Sequence, residues 1–173
     1  MRRFVRLILE AVLAIAVARS CKAADAKLAM TCSEFANGGT IPDALTCKGA
    51  NVNPALHFYG IPAEAQVLAF IVEDPDAPSG RFTHWLVWNI APTTTGIGEK
   101  SVPTGASQGT NDFGRIGYGG PCPPSGTHRY VFRLLALDAP LELKPGARRG
   151  EFEKACAGHV LARAEIIGRY SAH

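Results

Sequence analysis

The chain has 173 residues, of which 47% are hydrophobic, 18 are glycine and 12 are proline, and its formal net charge is +3. This length and composition are typical of one turn-rich globular domain with a buried core. The first 26 residues hold five of the 18 basic and two of the 15 acidic residues, so residues 27–173 carry 13 of each. A neutral domain gives no support to nucleic-acid binding.

The N-terminal segment predicts an export signal. Three arginines precede an apolar stretch at residues 7–18, and small residues at 24–26 provide a cleavage site. A membrane anchor is the alternative, but about a dozen apolar residues are too few to span a bilayer. We therefore expect a signal peptide over residues 1–26, a periplasmic or secreted domain over 27–173, and no stable membrane insertion.

The remaining chain is dominated by predicted strands. Apolar runs indicate strands at 28–32, 55–59, 66–73, 84–90 and 130–137, with a closing strand at 165–170. The spacing of Phe152, Cys156, His159 and Val160 predicts one helix over 151–163, and makes His159 a packing residue. Residues 92–120 form a long polar loop of the kind that is usually functional. The fold class is mostly β, a sandwich with peripheral short helices and one C-terminal helix.

Two carboxylates follow the third predicted strand, in the stretch Asp74-Pro75-Asp76-Ala77-Pro78. One interpretation is a polar rim that binds a ligand or orients a histidine. Two inward carboxylates would repel each other unless a histidine or a proton relieved them. The other interpretation is a pair of turn-forming aspartates, because Asp before Pro is common in turns.

Two histidines stand just after rigid Gly/Pro corners. His84 opens a strand and shares a face with Leu86 and Trp88, while His128 and Tyr130 follow the cluster at 118–124. Either histidine alone is more typical of a core residue or of a bond to a loop carbonyl. Two histidines that each follow a Gly/Pro corner favour one small binding site, formed where the two corners converge.

The second corner itself offers further groups to such a site. The turn at Gly119-Gly120 is predicted to leave backbone N–H groups free to converge on an anion. Imidazole N–H groups and the Tyr130 hydroxyl would complete a pocket the size of phosphate or carboxylate.

Cleavage of the signal would leave four cysteines: Cys32, Cys47, Cys122 and Cys156. An exported chain permits disulfides, and we expect Cys32 to pair with Cys47 across a short loop. Four buried free thiols are the alternative. No Cys or His spacing matches a metal site, so we expect neither a metal nor a cofactor.

Cys122 also raises the alternative of a cysteine-dependent hydrolase. His128 and His84 could activate its thiolate, with the aspartates as orienting groups. Against this, Cys122 is wedged between Pro121 and Pro123, and an oxidising compartment threatens a free thiolate. We therefore expect a protein that is not an enzyme.

Several stretches of the chain resemble the phosphatidylethanolamine-binding protein family, in its bacterial Raf-kinase-inhibitor-like branch. The matching stretches cover nearly all of residues 27–173 in order, and they are residues 38–42, 74–78, 84–90, 109–114, 117–124, 128–130 and 158–170. The resemblance implies a β-sandwich with a small anion pocket at one end.

The resemblance also implies the residues of that pocket. Carried over to this chain they are Asp74, Asp76, His84, Gly120, Pro121, Cys122, His128 and Tyr130. Phe82 stands where some relatives carry a tryptophan, which keeps an apolar wall. The implied ligands are phosphate or phospholipid head groups, and a protease or kinase-like protein is a candidate partner of a monomer or homodimer. Inhibition of an envelope protease is the alternative function, with residues 92–117 as its reactive loop.

Overall fold

The computed structural model describes residues 27–172, so the predicted signal peptide at 1–26 lies outside the described residues. In this part the strands are β1 (Ala29–Cys32), β2 (Leu56–Tyr59), β3 (Val67–Asp74), β4 (Phe82–Ile90), β5 (Gly96–Ile97), β6 (Ser107–Gln108), β7 (Thr127–Leu137) and β8 (Val160–Ser171). A 3-10 turn covers Asp43–Leu45, and the helix is α1 (Arg149–Cys156).

The strands form two antiparallel sheets. The larger has the order β6-β4-β3-β7-β8, and the smaller has the order β1-β2-β5. The main core lies between them, since the largest cluster of buried residues takes side chains from both sheets. The prediction of a mostly β, two-sheet protein is therefore confirmed.

The central strand β3 is buried on both faces, which explains its continuous run of apolar residues. Leu68, Phe70 and Val72 face the smaller sheet, where they join the main core. Val67, Ala69 and Ile71 face the other way, into a second core covered by α1 and the loop before it. Because side chains alternate along a strand, a strand covered on both sides is apolar at every position.

The predicted helix over 151–163 is wrong at its C-terminal end. Helix α1 stops at Cys156, Gly158 takes a φ of +85°, and the chain enters β8 at Val160. The alternation along β8 overrides the helical spacing, because this strand pairs with β7 along the whole of that strand. His159 consequently lies outside the helix, where its ring bonds to Asp138 at 2.8 Å.

Candidate ligand-binding site

Three strands of the larger sheet bring the predicted polar residues together at one end of the sandwich. Asp74 ends β3, His84 lies near the start of β4, and His128 lies near the start of β7. All three side chains are buried, as is that of Tyr130. The structure thus unites the two Gly/Pro corners around one group of side chains.

A β-bulge in β4 turns His84 towards this group. Trp85 pairs with Val72 and Thr83 pairs with Glu73, which leaves His84 between them as an extra residue on its strand. Bulges of this kind redirect side chains next to functional sites. The predicted shared face of His84 with Leu86 and Trp88 is therefore wrong. Those two residues join the outer core.

The His84 ring is held in one orientation and one tautomer. Its Nδ1 donates to the carbonyl oxygen of Gly119 at 2.6 Å, and its ring makes T-shaped contacts with the rings of Tyr130 and Phe113. Burial lowers the pKa of His84, although carbonyls and the nearby Asp74 oppose this shift. In the neutral ring Nδ1 carries the proton, so Nε2 presents a lone pair. That atom makes no hydrogen bond within residues 27–172.

Asp74 and His128 form the second element of the site. The Nδ1 of His128 donates to Oδ2 of Asp74 at 2.7 Å, and both side chains are less than a tenth exposed. The other carboxylate oxygen of Asp74 accepts the backbone N–H of Asp76 at 2.8 Å. Each oxygen can accept more than one hydrogen bond, so the carboxylate retains free acceptor capacity.

Tyr130 supplies the third element. Its side chain is fully buried, and its hydroxyl has no hydrogen-bond partner among the described residues. The N–H of Cys122 is the backbone group that lies towards its oxygen, and burial together with the charge of Asp74 raises its pKa well above the usual range. A buried hydroxyl without a partner costs free energy, and a functional role commonly accounts for such a group.

The Gly119-Gly120 turn does not form the predicted anion nest. The N–H of Gly119 donates to the carbonyl of His84, and that of Gly120 donates to Oδ1 of Asn51 at 2.7 Å. The glycines are needed for close packing instead. A Cβ at Gly119 would meet the Phe113 ring at 2.5 Å, and one at Gly120 would meet the Leu45 carbonyl at 2.4 Å. Both N–H groups are therefore used inside the protein.

The disulfide differs from the prediction. Cys47 pairs with Cys122, while Cys32 is a free thiol that donates to Glu34. The physical reason is the packing of residues 42–51 against residues 118–122, where the N–H of Cys47 also bonds to the carbonyl of Pro121. In this form Cys122 has no thiolate to offer. Burial raises the pKa of Cys32 to about 12.

Asp76 points away from the site. Arg129 donates to it from its backbone N–H and from two guanidinium nitrogens, at 2.9, 2.9 and 2.7 Å. These hydrogen bonds lower the pKa of Asp76 to about 2. Of the two predicted carboxylates, Asp74 thus belongs to the site and Asp76 forms a surface ion pair.

Asp74 and His84 border a pocket of about 250 Å³. Its lining residues are Asp74, Ala77, Pro78, Ser79, Phe82, His84, Phe113, Cys122 and Pro124. The predicted residues Gly120, Pro121, His128 and Tyr130 are not part of this lining. Phe82 forms an apolar wall as expected, and its ring meets that of Phe113 at 4.8 Å between centroids.

Phe113 is one of the lining residues that the predicted site lacked, together with Ala77, Pro78, Ser79 and Pro124. The buried side chain of Asn111 bonds to the backbone of Phe113, Arg115 and Gly117, which holds this part of the loop in place. An Asn two positions after Gly109 was the available signal, because Asn side chains commonly fix loops in this way.

A larger depression of about 510 Å³ lies on the outer face of the sheet beside α1. Its acidic groups, Glu153 and Glu165, are already paired with Arg81 and Arg133. The smaller pocket combines apolar walls with two polar groups that retain hydrogen-bonding capacity, Asp74 and His84, so it is the better ligand site.

Within residues 27–172, no group of three or more His, Cys, Asp or Glu side chains has the arrangement to hold a metal ion. No helix within the same residues is both long and apolar enough to cross a membrane.

The fold and site together define a class of two-sheet β proteins with a small polar pocket at the strand ends. The family profile described as phosphatidylethanolamine-binding protein matches residues 31–171. The chain therefore belongs to the phosphatidylethanolamine-binding protein family, as the sequence motifs predicted.

Relatives agree in sequence and in structure. A UPF0098 protein of Methanothermobacter thermautotrophicus is 50% identical over 141 residues, which are 79% of this chain and 93% of that protein. A solved phosphatidylethanolamine-binding protein homologue from Chlamydia trachomatis has a TM-score of 0.82 at 37% identity, over 86% of this chain and 99% of that one. YbcL of Escherichia coli, described as a member of the mammalian phosphatidylethanolamine-binding protein family, has a TM-score of 0.81 at 32% identity, over 86% of this chain and 100% of that one.

Proposed function

We propose that this protein is an exported, non-enzymatic binder of phosphoanions or phospholipid head groups, and that it modulates a protein partner. One observation carries the ligand proposal. The pocket is bordered by the buried side chains of His84 and Asp74, and Nε2 of His84 and the Asp74 carboxylate both retain hydrogen-bonding capacity. Buried polar groups normally have their hydrogen bonds formed, so we expect a polar ligand to complete the hydrogen bonding of these groups.

Binding of an anion requires a proton in this pocket. With Nδ1 of His84 committed to Gly119, the neutral ring offers a lone pair at Nε2, and Asp74 offers negative charge. An anion gains a hydrogen bond at Nε2 only when that nitrogen is protonated or when the ligand itself brings the proton. In both cases affinity rises as the pH falls.

The test is calorimetry with phosphate and phosphoethanolamine on the wild type and on His84→Ala and His128→Ala. Loss of one hydrogen bond to a charged group should weaken binding by about 1.5–3 kcal/mol. His159→Ala is the matched control, because its ring bonds to Asp138 at the surface and does not border the pocket. Absence of binding at millimolar ligand, or equal binding by all variants, overturns the proposal.

The location of the protein is tested separately. The basic and apolar N-terminal residues support export, and a disulfide is suited to an oxidising compartment. We expect N-terminal sequencing of protein from the producing cell to begin near Lys27. An intact Met1 on protein from the cytoplasm would contradict export.

A further inference from the structure

Strand β8 forms one edge of the larger sheet, and in the described part of the chain only the second half of that edge is covered. Residues 37–41 run beside this half and hydrogen-bond to the backbone of Ile167 and Arg169. The N–H of Ile167 donates to the side chain of Asn37, and its carbonyl accepts from the N–H of Gly38. The edge of β8 therefore already accepts an added extended segment along half of its length.

The first half of the same edge is open. In an antiparallel pair the backbone groups of alternate residues point to the same side of the strand. Those of Arg163 and Glu165 therefore point to the edge that residues 37–41 cover further along. Within residues 27–172 the N–H and carbonyl groups of these two residues make no hydrogen bond on that side. An open edge with unpaired backbone groups can pair with a further strand.

A groove of about 320 Å³ lies beside the open edge, between β8 and the start of the smaller sheet. Its lining residues are Lys27, Leu28, Ala29, Met30, Arg163, Ala164 and Glu165. The carboxylate of Glu165 already pairs with Arg133. The exposed side chains of Lys27 and Arg163 have no ion pair within residues 27–172. The charge without a partner at this edge is therefore positive.

A second copy of β8 does not fit the open edge in the register that would match its charges. Placing Arg163 opposite Glu165 of a second copy would put that copy's Leu161 against Ile167. The N–H of Gly38 already bonds to the Ile167 carbonyl at that place. We therefore propose that the open edge binds an extended acidic segment of another protein, which pairs antiparallel with β8 and places a carboxylate opposite Arg163. This surface is separate from the ligand pocket, and it offers the protein partner of the proposed function a binding site that does not depend on the ligand.

Fluorescence anisotropy tests the proposal with a labelled, capped peptide of alternating threonine and valine that carries one central glutamate. We expect the peptide to bind, and its affinity to fall about fivefold when the glutamate is replaced by lysine, because opposite charges attract and like charges repel across a strand pair. The glutamate peptide with N-methyl groups at alternate residues cannot donate to β8, so it should bind at least about tenfold more weakly.

Amide hydrogen exchange locates the binding on β8. In the protein alone the N–H groups of Arg163 and Glu165 should exchange rapidly, because they have no acceptor there. Those of Ile167 and Arg169 should exchange slowly, and saturating peptide should protect the first pair as well. The variant Arg163→Glu should bind the lysine peptide more tightly than the glutamate peptide. Arg169→Glu makes the same change on the covered half of the edge and is the matched control, which should leave the original preference unchanged.

Four results would contradict this proposal. Equal binding of the glutamate and lysine peptides would show that the edge does not select acidic segments. Binding without protection of the Arg163 and Glu165 amides would show that the peptide binds elsewhere. Absence of binding at millimolar peptide would show that the charged side chains keep the edge unpaired. Slow exchange of both amides in the protein alone would show that the edge is already occupied.

Sedimentation equilibrium then identifies what occupies the edge: a dimer indicates a second copy, and a monomer indicates residues of the same chain. Calorimetry with phosphate separates these results from the ligand proposal. Failure of phosphate binding would leave the peptide results unchanged, and failure of peptide binding would leave the ligand pocket unaffected.

Discussion

Glu73 and Asp74 are successive residues at the end of β3, yet their carboxylates lie in opposite environments. Glu73 faces the outer side of the sheet, where it is almost fully buried among three arginines. Arg81 approaches it at 2.6 Å, Arg133 at 3.0 Å and Arg149 at 3.6 Å. Asp74 faces the pocket, and within residues 27–172 its side chain is hydrogen-bonded by His128 and by one backbone N–H. The alternation of a strand therefore separates them by the full thickness of the sheet.

The difference distinguishes a structural carboxylate from one available to a ligand. The oxygens of Glu73 have no need of a further partner, because guanidinium groups surround them. Those of Asp74 retain acceptor capacity, and the neighbouring Tyr130 hydroxyl retains a donor. Burial alone does not identify the functional residue, since both carboxylates are buried. The number and kind of hydrogen-bond partners do.

A disulfide stabilises the pocket end of the molecule, whereas an ion cluster around Glu73 stabilises the outer face of the sheet. Removing the disulfide should give the largest loss of stability. The bond between Cys47 and Cys122 closes a separation of 75 residues. On the chain-entropy model its loss should lower the free energy of unfolding by about 4.5 kcal/mol. Urea unfolding of the Cys47→Ser/Cys122→Ser double variant measures this. Cys32→Ser is the control, because that thiol is free. A small loss in the double variant would show that the disulfide does not hold the pocket end.

Glu73→Gln tests the outer-face cluster. Removing the buried charge takes one partner from Arg81 and Arg133, which are partly exposed and keep Glu153 and Glu165. The free energy of unfolding should therefore fall by about 1.5–3 kcal/mol. Ligand affinity should not change, because Glu73 lies on the far side of the sheet. The measurements are urea unfolding and calorimetry with phosphate.

Glu165→Gln is the matched control for that variant. Its carboxylate pairs with Arg133 but is 42% exposed, so its loss should cost at most about 1 kcal/mol. Equal losses from the two glutamate variants would contradict the distinction between a buried and an exposed pair. A weaker ligand affinity in Glu73→Gln would contradict the separation of the two faces.

Much of this arrangement follows from local sequence patterns. The apolar runs located β2, β3, β4 and β7 within a few residues, because two-sided burial leaves a clear signal. The Gly/Pro corners identified Asp74, His84 and His128, since rigid turns at strand ends place polar groups at the mouth of a sheet. The family motifs supplied the two-sheet architecture.

The remaining features depend on contacts between distant residues, which no local pattern encodes. The bulge at His84 arises from how β4 pairs with β3, which the sequence of β4 alone does not show. Assuming that side chains alternate strictly along β4 therefore placed His84 on the wrong face of the sheet. Cys122 lies 75 residues from Cys47, and only the docking of two loops joins them. Gly119 and Gly120 were predicted to form an anion nest because the acceptors of their N–H groups, the His84 carbonyl and the Asn51 side chain, lie elsewhere in the chain.

Asp76→Asn also has a small expected effect and compares the two aspartates of one motif directly. Arg129 lowers the pKa of Asp76 from its ordinary value of 3.8 to about 2. A lowered carboxyl pKa stabilises the folded state above the unfolded value, and this contribution is lost as the pH falls from about 4 to about 2. The loss at neutral pH should, as in Glu165→Gln, be at most about 1 kcal/mol, because Arg129 is at the surface, where solvent and salt screen the pair.

Urea unfolding of the wild type and Asp76→Asn between pH 7 and pH 2 measures this contribution. The two curves of stability against pH should differ most at neutral pH and converge towards pH 2, where the wild-type carboxylate takes up its proton. The difference should also shrink in high salt, as expected for an exposed ion pair. A constant difference at every pH would show that the hydrogen bond to the Arg129 backbone, rather than the charge of Asp76, makes the contribution.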